Sequence, residues 1–307
     1  AGAMVGGPPR GALQPGAVLG GQFQVERKVG EGTFSEIYLV QCSLHVGAVK
    51  VEAEDRVLRY EARVLRELQG IGQVPRYIAE GSHEGCNWLV MELLGENLST
   101  LRRRQAHGRF SLKTTLLVGA QLLDVLFGMH YLGYVHRDIK PSNFSVGYAR
   151  AAHQIFMLDF GLSRKYVSDS GELLPPRENA EFRGTSLYAS INAHKCKELG
   201  RRDDLWSLFY VLVEFIEGDL PWRGCKDKDK VREMKERYMR EPQGLVQRAG
   251  GMPAELVSIA NYIATLGWSD EPDYSFIREN LGQLAVRIGV SPDDAYDWEE
   301  AGDTGGA

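Results

Sequence analysis

One stretch of eight residues, His136-Arg137-Asp138-Ile139-Lys140-Pro141-Ser142-Asn143, places a carboxylate, an ammonium group and an amide close together. These residue types suit the transfer of a phosphoryl group to a hydroxyl. Asp138 can orient the accepting hydroxyl, and Lys140 can neutralise charge on the moving group. Asn143 offers an oxygen ligand to Mg2+. A polar surface loop is the plain alternative, and the spacing disfavours it. Asp159-Phe160-Gly161 follows the apolar run Ile155-Phe156-Met157-Leu158. A strand ending in Asp159 presents a carboxylate suited to Mg2+, and Gly161 lets the chain turn.

Lys50 stands in Ala48-Val49-Lys50, flanked by apolar residues. Taken alone it reads as a solvent-facing side chain. Glu61 changes that reading. On a helical wheel it falls in the middle of the face formed by Val57, Leu58, Val64, Leu65 and Leu68. An unpaired carboxylate there is costly to bury. A lysine from a neighbouring strand could pair with it and then hold ATP phosphates.

Gly30-Glu31-Gly32-Thr33-Phe34-Ser35 follows a strand pattern. Glycines let backbone N–H groups close over phosphates, because no Cβ blocks the approach. The signal is weak alone: Ser35 stands where a third glycine is usual, and an ordinary hairpin turn fits the same residues. A dinucleotide-binding turn would run into a helix, whereas Glu36–Val40 has a strand pattern.

The elements that must position these groups are legible in outline. Phe23-Gln24-Val25, Ile37–Val40, Gly47–Val51 and Trp88–Leu94 read as strands, and Asp55–Gln69 as a helix. Leu116–Leu132 and Leu205–Ile216 are apolar on nearly all sides and read as buried core helices. Strands first and helices later predict an α+β arrangement in two lobes, the change falling near Gly95. Residues 1–21, rich in Gly and Pro, read as a flexible leader.

Composition sets wider bounds. The chain has 307 residues, 43% apolar and 25% charged, which are globular values. Cys42, Cys86, Cys196 and Cys225 form no CxxC pair, so a disulfide framework or structural zinc is not expected. Reduced thiols fit an intracellular protein. The longest apolar candidate, Leu116–Leu132, is broken by Gln121 and Asp124, so no membrane span is expected. The net charge of −5 is outweighed by six acids in residues 291–307, a tail expected to be solvated. No nucleic-acid partner is indicated. Arg102-Arg103-Arg104 reads as a solvated helix face, or as a contact for an acidic partner such as the tubulin tail.

Taken together, the glycine turn, Ala48-Val49-Lys50, Glu61, the loop at 136–143 and Asp159-Phe160-Gly161 resemble the eukaryotic protein kinases over residues 22–290. Ser190-Ile191-Asn192, in place of Ala-Pro-Glu, and Arg202-Asp203-Asp204-Leu205 resemble the casein kinase 1 group. Asp138–Phe144, Phe182-Arg183-Gly184-Thr185, Tyr188–His194, Asp203–Tyr210 and Leu220-Pro221-Trp222-Arg223 are similar to tau-tubulin kinases.

The resemblance implies a two-lobed kinase fold, with an N-lobe at 22–94, a helical C-lobe at 95–290 and an acidic tail at 291–307. It implies a serine/threonine kinase using ATP and Mg2+, with a pseudokinase scaffold as the alternative. Asp138 would be the base, Asp159 the chief Mg2+ ligand, and Asn143 its companion. Val29, Gly30, Gly32, Ser35, Ile37 and Ala48 would cover the nucleotide. Met91 would be the gatekeeper, with the backbone of Glu92 and of Leu93 or Leu94 on the base and Ser145 at the floor. Thr185 would lie beside Asp138 and Lys140. Leu187 replaces an arginine that often recognises phosphate-primed substrates, while Arg183 and Lys230 could still supply positive charge. Implied partners are Ser/Thr-bearing proteins, acidic or cytoskeletal, such as tubulin or microtubule-associated proteins. A cytoplasmic monomer is expected, with the nucleus as a further site.

Overall fold

The computed structural model describes residues 13–32, 35–43, 46–53, 56–178, 180–247 and 251–300. Thr33, Phe34 and Asp55, with the outer parts of the expected leader and tail, lie outside the described residues. The chain divides into two compact units, Ala1–Gly95 with Val146–Gly161, and Glu96–Ser145 with Leu162–Ala307. The first stretch of the first unit ends at Gly95. The return of residues 146–161 to the first unit was not foreseen. Long-range bonds draw it there: the Met157 N–H donates to the Gln73 carbonyl at 2.8 Å.

The first unit is a sheet of β1 (Val18–Leu19), β2 (Phe23–Glu31), β3 (Ser35–Gln41), β4 (Val46–Ala53), β5 (Tyr77–His83) and β6 (Cys86–Glu92). Its order is β1-β2-β3-β4-β6-β5, each pair antiparallel. Alternation sends Tyr38, Val40, Val49, Val51, Trp88 and Val90 into one buried cluster with Phe23 and Val25. The opposite face carries the rows Ile37–Lys50–Leu89 and Leu39–Ala48–Met91, set by the strand register. Helix α1 (Arg56–Glu67) packs on β5 and β6, burying Leu58, Ala62, Val64 and Leu65.

Part of the expected leader is not loose. Leu13 and Leu19 are buried in the same cluster, and β1 pairs with β2. The glycines at 16, 20 and 21 all have positive φ and turn the chain back over the sheet. At Gly16, Gly20 and Gly21 the glycine content read as flexibility forms turns instead; residues 1–12 lie outside the described residues.

The second unit is helical: α2 (Leu98–Arg104), α3 (Leu112–Tyr131), α4 (Ile191–His194), α5 (Arg201–Glu217), α6 (Lys228–Arg240), α7 (Ala254–Thr265), α8 (Tyr274–Arg287) and α9 (Asp297–Glu300). A two-stranded ribbon, β7 (Tyr134–Val135) with β8 (Arg164–Lys165), flanks the loop at 136–143. Helices α3 and α5 form the core, as their apolar patterns predict. Helix α3 is long and apolar enough to cross a membrane. Its apolar side chains, among them Val118, Leu122, Leu123, Val125 and Leu126, are instead buried within this unit.

Two expectations about charge are corrected here. Arg102 is buried rather than solvated: it donates to Glu214 at 3.0 Å and to the Gly218 carbonyl at 2.8 Å. Only Arg103 and Arg104 of that run are exposed. The acidic tail is also partly built in. The Asp297 carboxylate accepts from the Ser111 N–H and hydroxyl, each at 2.6 Å, at the start of α3.

Candidate active site

In the first unit, β4 and α1 bring Lys50 and Glu61 together. The Lys50 amine donates to Glu61 at 2.6 Å and lies 3.5 Å from Asp159 and 3.6 Å from Glu52. Burial alone would lower the Lys50 pKa, but the charges of Glu61, Asp159 and Glu52 outweigh it. The amine is therefore held firmly as an ammonium. Glu52 was missed in the sequence, although it lies two residues from Lys50 on one strand and so on the same face.

Asp159 follows the strand Ile155–Met157 and has φ +63°. A non-glycine residue in this left-handed region stores roughly 1–3 kcal/mol of strain. Its side chain remains 44% exposed, so the carboxylate keeps solvent access while touching Lys50.

The glycine turn is a β2–β3 hairpin, with Gly30 opposite Ile37 and the Gly32 N–H donating to Ser35 at 2.7 Å. Strand follows strand, so the dinucleotide-binding alternative is excluded. Among the described residues a Cβ on Gly30 would meet only Ile37, at 3.7 Å, an ordinary contact, so their packing does not demand a glycine there.

Ile37, Ala48 and Met91 share the sheet face that carries Lys50, and all three are half-buried. Val29 is exposed. The Glu92 N–H donates to the Arg76 carbonyl at 2.9 Å, so that amide is engaged within the protein. Leu93 and Leu94 follow β6 directly and are half-buried. Ser145 is buried and belongs to the second unit.

In the second unit, the loop after β7 is held from beneath by Asp204, in the first turn of α5. Its carboxylate accepts from the His136 N–H at 2.7 Å, the Arg137 N–H at 2.8 Å and the His130 ring at 2.9 Å. Burial pushes the Asp204 carboxyl up, yet these bonds and the neighbouring histidines hold it below the usual range. Arg137 has φ +70° and donates to the Leu162 carbonyl at 2.7 Å. The sequence showed Asp204 only as part of a helix start. Its bonding role depends on residues nearly seventy positions away.

Asp138 is buried, with both oxygens engaged. One accepts from the Thr185 N–H and hydroxyl, at 2.9 Å each. The other accepts from Lys140 at 2.6 Å and lies 3.4 Å from the Asn143 amide nitrogen. That nitrogen also donates to the Asp138 carbonyl at 2.9 Å, leaving the amide oxygen of Asn143 as the group able to meet a cation. Gly184 is required by the fold: its φ is +88°, and a Cβ would stand 2.5 Å from the Arg137 carbonyl.

Asp138, Lys140, Asn143 and Thr185 thus converge as expected. Arg183 and Lys230 do not join them in this structure. Arg183 is exposed and paired with Glu181 at 2.6 Å, and Lys230 is exposed in the first turn of α6. Ser190 and Asn192 both donate to Asp203, at 2.7 and 2.9 Å, anchoring the following segment to α5.

The protein kinase domain family matches residues 23–264 of this chain. The chain belongs to that family. The strand-rich first unit and helical second unit are the two lobes of the protein kinase fold. A protein named as a probable serine/threonine-protein kinase, from Dictyostelium discoideum, is 44% identical over 290 residues. The alignment covers 92% of this chain and 58% of that relative, so the chain spans little more than half the relative's length. Among the described residues no group of three or more His, Cys, Asp or Glu is gathered to hold a metal ion. A kinase Mg2+ draws much of its ligand set from the phosphates and needs few protein groups.

Proposed function

We propose that this protein transfers the terminal phosphoryl group of ATP to serine and threonine hydroxyls of proteins. The observation that carries the reading is the Asp138 carboxylate, fixed on one oxygen by Thr185 and on the other by Lys140. A hydroxyl brought to this carboxylate is oriented and can pass it a proton. Lys140 stands ready to compensate charge on the transferred group. Lys50, held by Glu61, would hold phosphate oxygens of ATP. Asp159 in the first unit and, in the second, the Asn143 oxygen are each suited to ligate Mg2+, which when bound neutralises charge on the phosphates. Gly30 fits this assignment, because a glycine lets a ligand approach the backbone closely.

Within the family, the reading extends to the casein kinase 1 group and, more narrowly, to tau-tubulin kinases. Ser190-Ile191-Asn192 supports it, with two side chains devoted to Asp203. Acidic or cytoskeletal proteins are the proposed substrates, acted on by a cytoplasmic monomer. The free thiols of Cys42, Cys86, Cys196 and Cys225 favour a reducing compartment. With Leu187 in place of a basic residue and Arg183 paired to Glu181, dependence on phosphate-primed substrates is weak in this reading.

The test is phosphate transfer from Mg-ATP to casein and to tubulin, with Asp138→Asn as control. Transfer by the parent and a fall of ~10²-fold or more in the variant are expected. ATP binding without transfer would overturn the proposal. Rates on matched primed and unprimed peptides test the narrower claim, and a strong preference for the primed peptide would refute it.

A further inference from the structure

Lys235 lies mid-way along α6, and its side chain is wholly enclosed, at 0% exposure. Its amine, whose pKa burial pushes well below the usual lysine value, donates to the Ala189 carbonyl at 2.6 Å and the Ser186 carbonyl at 2.8 Å, and lies 3.3 Å from His194 Nε2. The rings of Tyr210 and Trp222 each stand 5.1 Å from the same nitrogen. The Trp222 indole donates to the Leu187 carbonyl at 2.7 Å. Three carbonyls within four residues are therefore tied to one floor built by α5, α6 and Trp222. No carboxylate pairs with Lys235 among the described residues.

Burying a lysine without a counter-charge is costly, and an apolar side chain of the same length would fill the space without that cost. The polar end of Lys235 has one evident use, the carbonyls of residues 186–189. That segment continues directly from Thr185, which holds Asp138. A polypeptide bringing its hydroxyl to Asp138 has to approach Thr185, where this segment begins. The N–H groups of Tyr188 and Ala189 already turn inward to the Thr185 carbonyl, at 2.9 and 3.0 Å. Lys235 thus supplies, from below, what the segment's own turn cannot.

We propose that Lys235 is a positioning residue for the protein substrate. It fixes the 186–189 carbonyls so that the peptide beside the acceptor hydroxyl meets a preset surface, and through Thr185 it steadies Asp138. The inference deepens the kinase reading above and rests on it for its kinetic consequence, but not for its structural one.

Lys235→Met keeps length and apolar volume while removing the donor. Two readouts test it. Amide hydrogen exchange should speed up at least tenfold in residues 185–190 while α5 is unchanged. The KM for a peptide substrate should rise at least tenfold, with the KM for ATP within twofold. Unchanged exchange in 185–190, or equal losses for peptide and ATP, would overturn the proposal. Should Lys235→Met not fold, Trp222→Phe removes the donor to Leu187. The same split between peptide and ATP is expected, and its absence counts against the proposal equally. A parent protein without transfer activity would sink the kinase reading alone, because the exchange comparison still decides the role of Lys235.

Discussion

Thr185 binds one oxygen of Asp138 twice, through its backbone N–H and its hydroxyl, each at 2.9 Å. The carboxylate is thereby pointed by two donors from one residue. Replacing Thr185 by Val deletes the hydroxyl donor and keeps the backbone one. Turnover should fall about tenfold, the worth of one charge-assisted hydrogen bond, roughly 1.5 kcal/mol. Thr185→Ser should stay near the parent rate. Steady-state kinetics on one peptide with all three proteins checks this, and a Val variant at full rate would show the hydroxyl to be idle.

Lys50 keeps three carboxylates around it, with Glu61 the nearest. In Glu61→Gln the ammonium group loses its closest anion and is drawn towards Glu52 and Asp159 instead. The expected result is a higher KM for ATP and a turnover lower by about 10–10²-fold, in line with misplacing one electrostatic stabiliser. Parallel ATP and peptide titrations decide the matter, since an intact KM for ATP would separate Glu61 from nucleotide binding.

Arg102 and Arg103 are neighbours in sequence with opposite fates. Arg102 faces a Glu214 that is 0% exposed, whereas Arg103 is exposed. Arg102→Met should cost about 3 kcal/mol, because the carboxylate is left with less compensation. Arg103→Ala should lie within about 0.5 kcal/mol of the parent. Chemical denaturation of both variants provides the comparison, and equal stabilities would contradict the buried role of Arg102.

His194 titrates near about 4 in the fold, lowered from 6.5 by burial and then by the charge of Lys235, with Lys228 and Arg232 adding to it. The unfolded chain takes up this proton near pH 6.5, and the folded protein only near pH 4. Between those values the unfolded state binds more protons, so stability rises with pH through this window and is complete above it. His194→Gln, which cannot titrate, should flatten that slope. Denaturation midpoints at pH 5 and pH 7 for both proteins measure it, and an unchanged slope would remove His194 from the account.

The chemistry of the site was more legible than its support. Lys50 and Glu61 could be paired because a carboxylate on an apolar helix face demands a partner, which is a local argument. Asp138, Lys140 and Asn143 lie within six residues, so their spacing alone speaks. Asp204 and Lys235 were invisible for the opposite reason. Each bonds to backbone groups 46 or more positions away, and backbone atoms leave no trace in side-chain patterns. Strand β5 was missed because Tyr77–His83, half-buried except at the exposed Ser82, shows no clean alternation. Arg102 was misread because charge runs usually face water, and nothing nearby announces Glu214.

The first strand also bears on how the protein can be trimmed for expression. The family match begins at residue 23, which invites a recombinant boundary there. Cutting at that point discards Leu13 and Leu19, removes the 2.8 Å bond from the Val25 N–H to Ala17, and takes Gly20 off the Trp88 ring. The shortened protein would carry a bare strand edge beside uncovered aromatic surface, a ready template for self-association. Starting at or before residue 13 retains the cover that keeps the lobe dispersed.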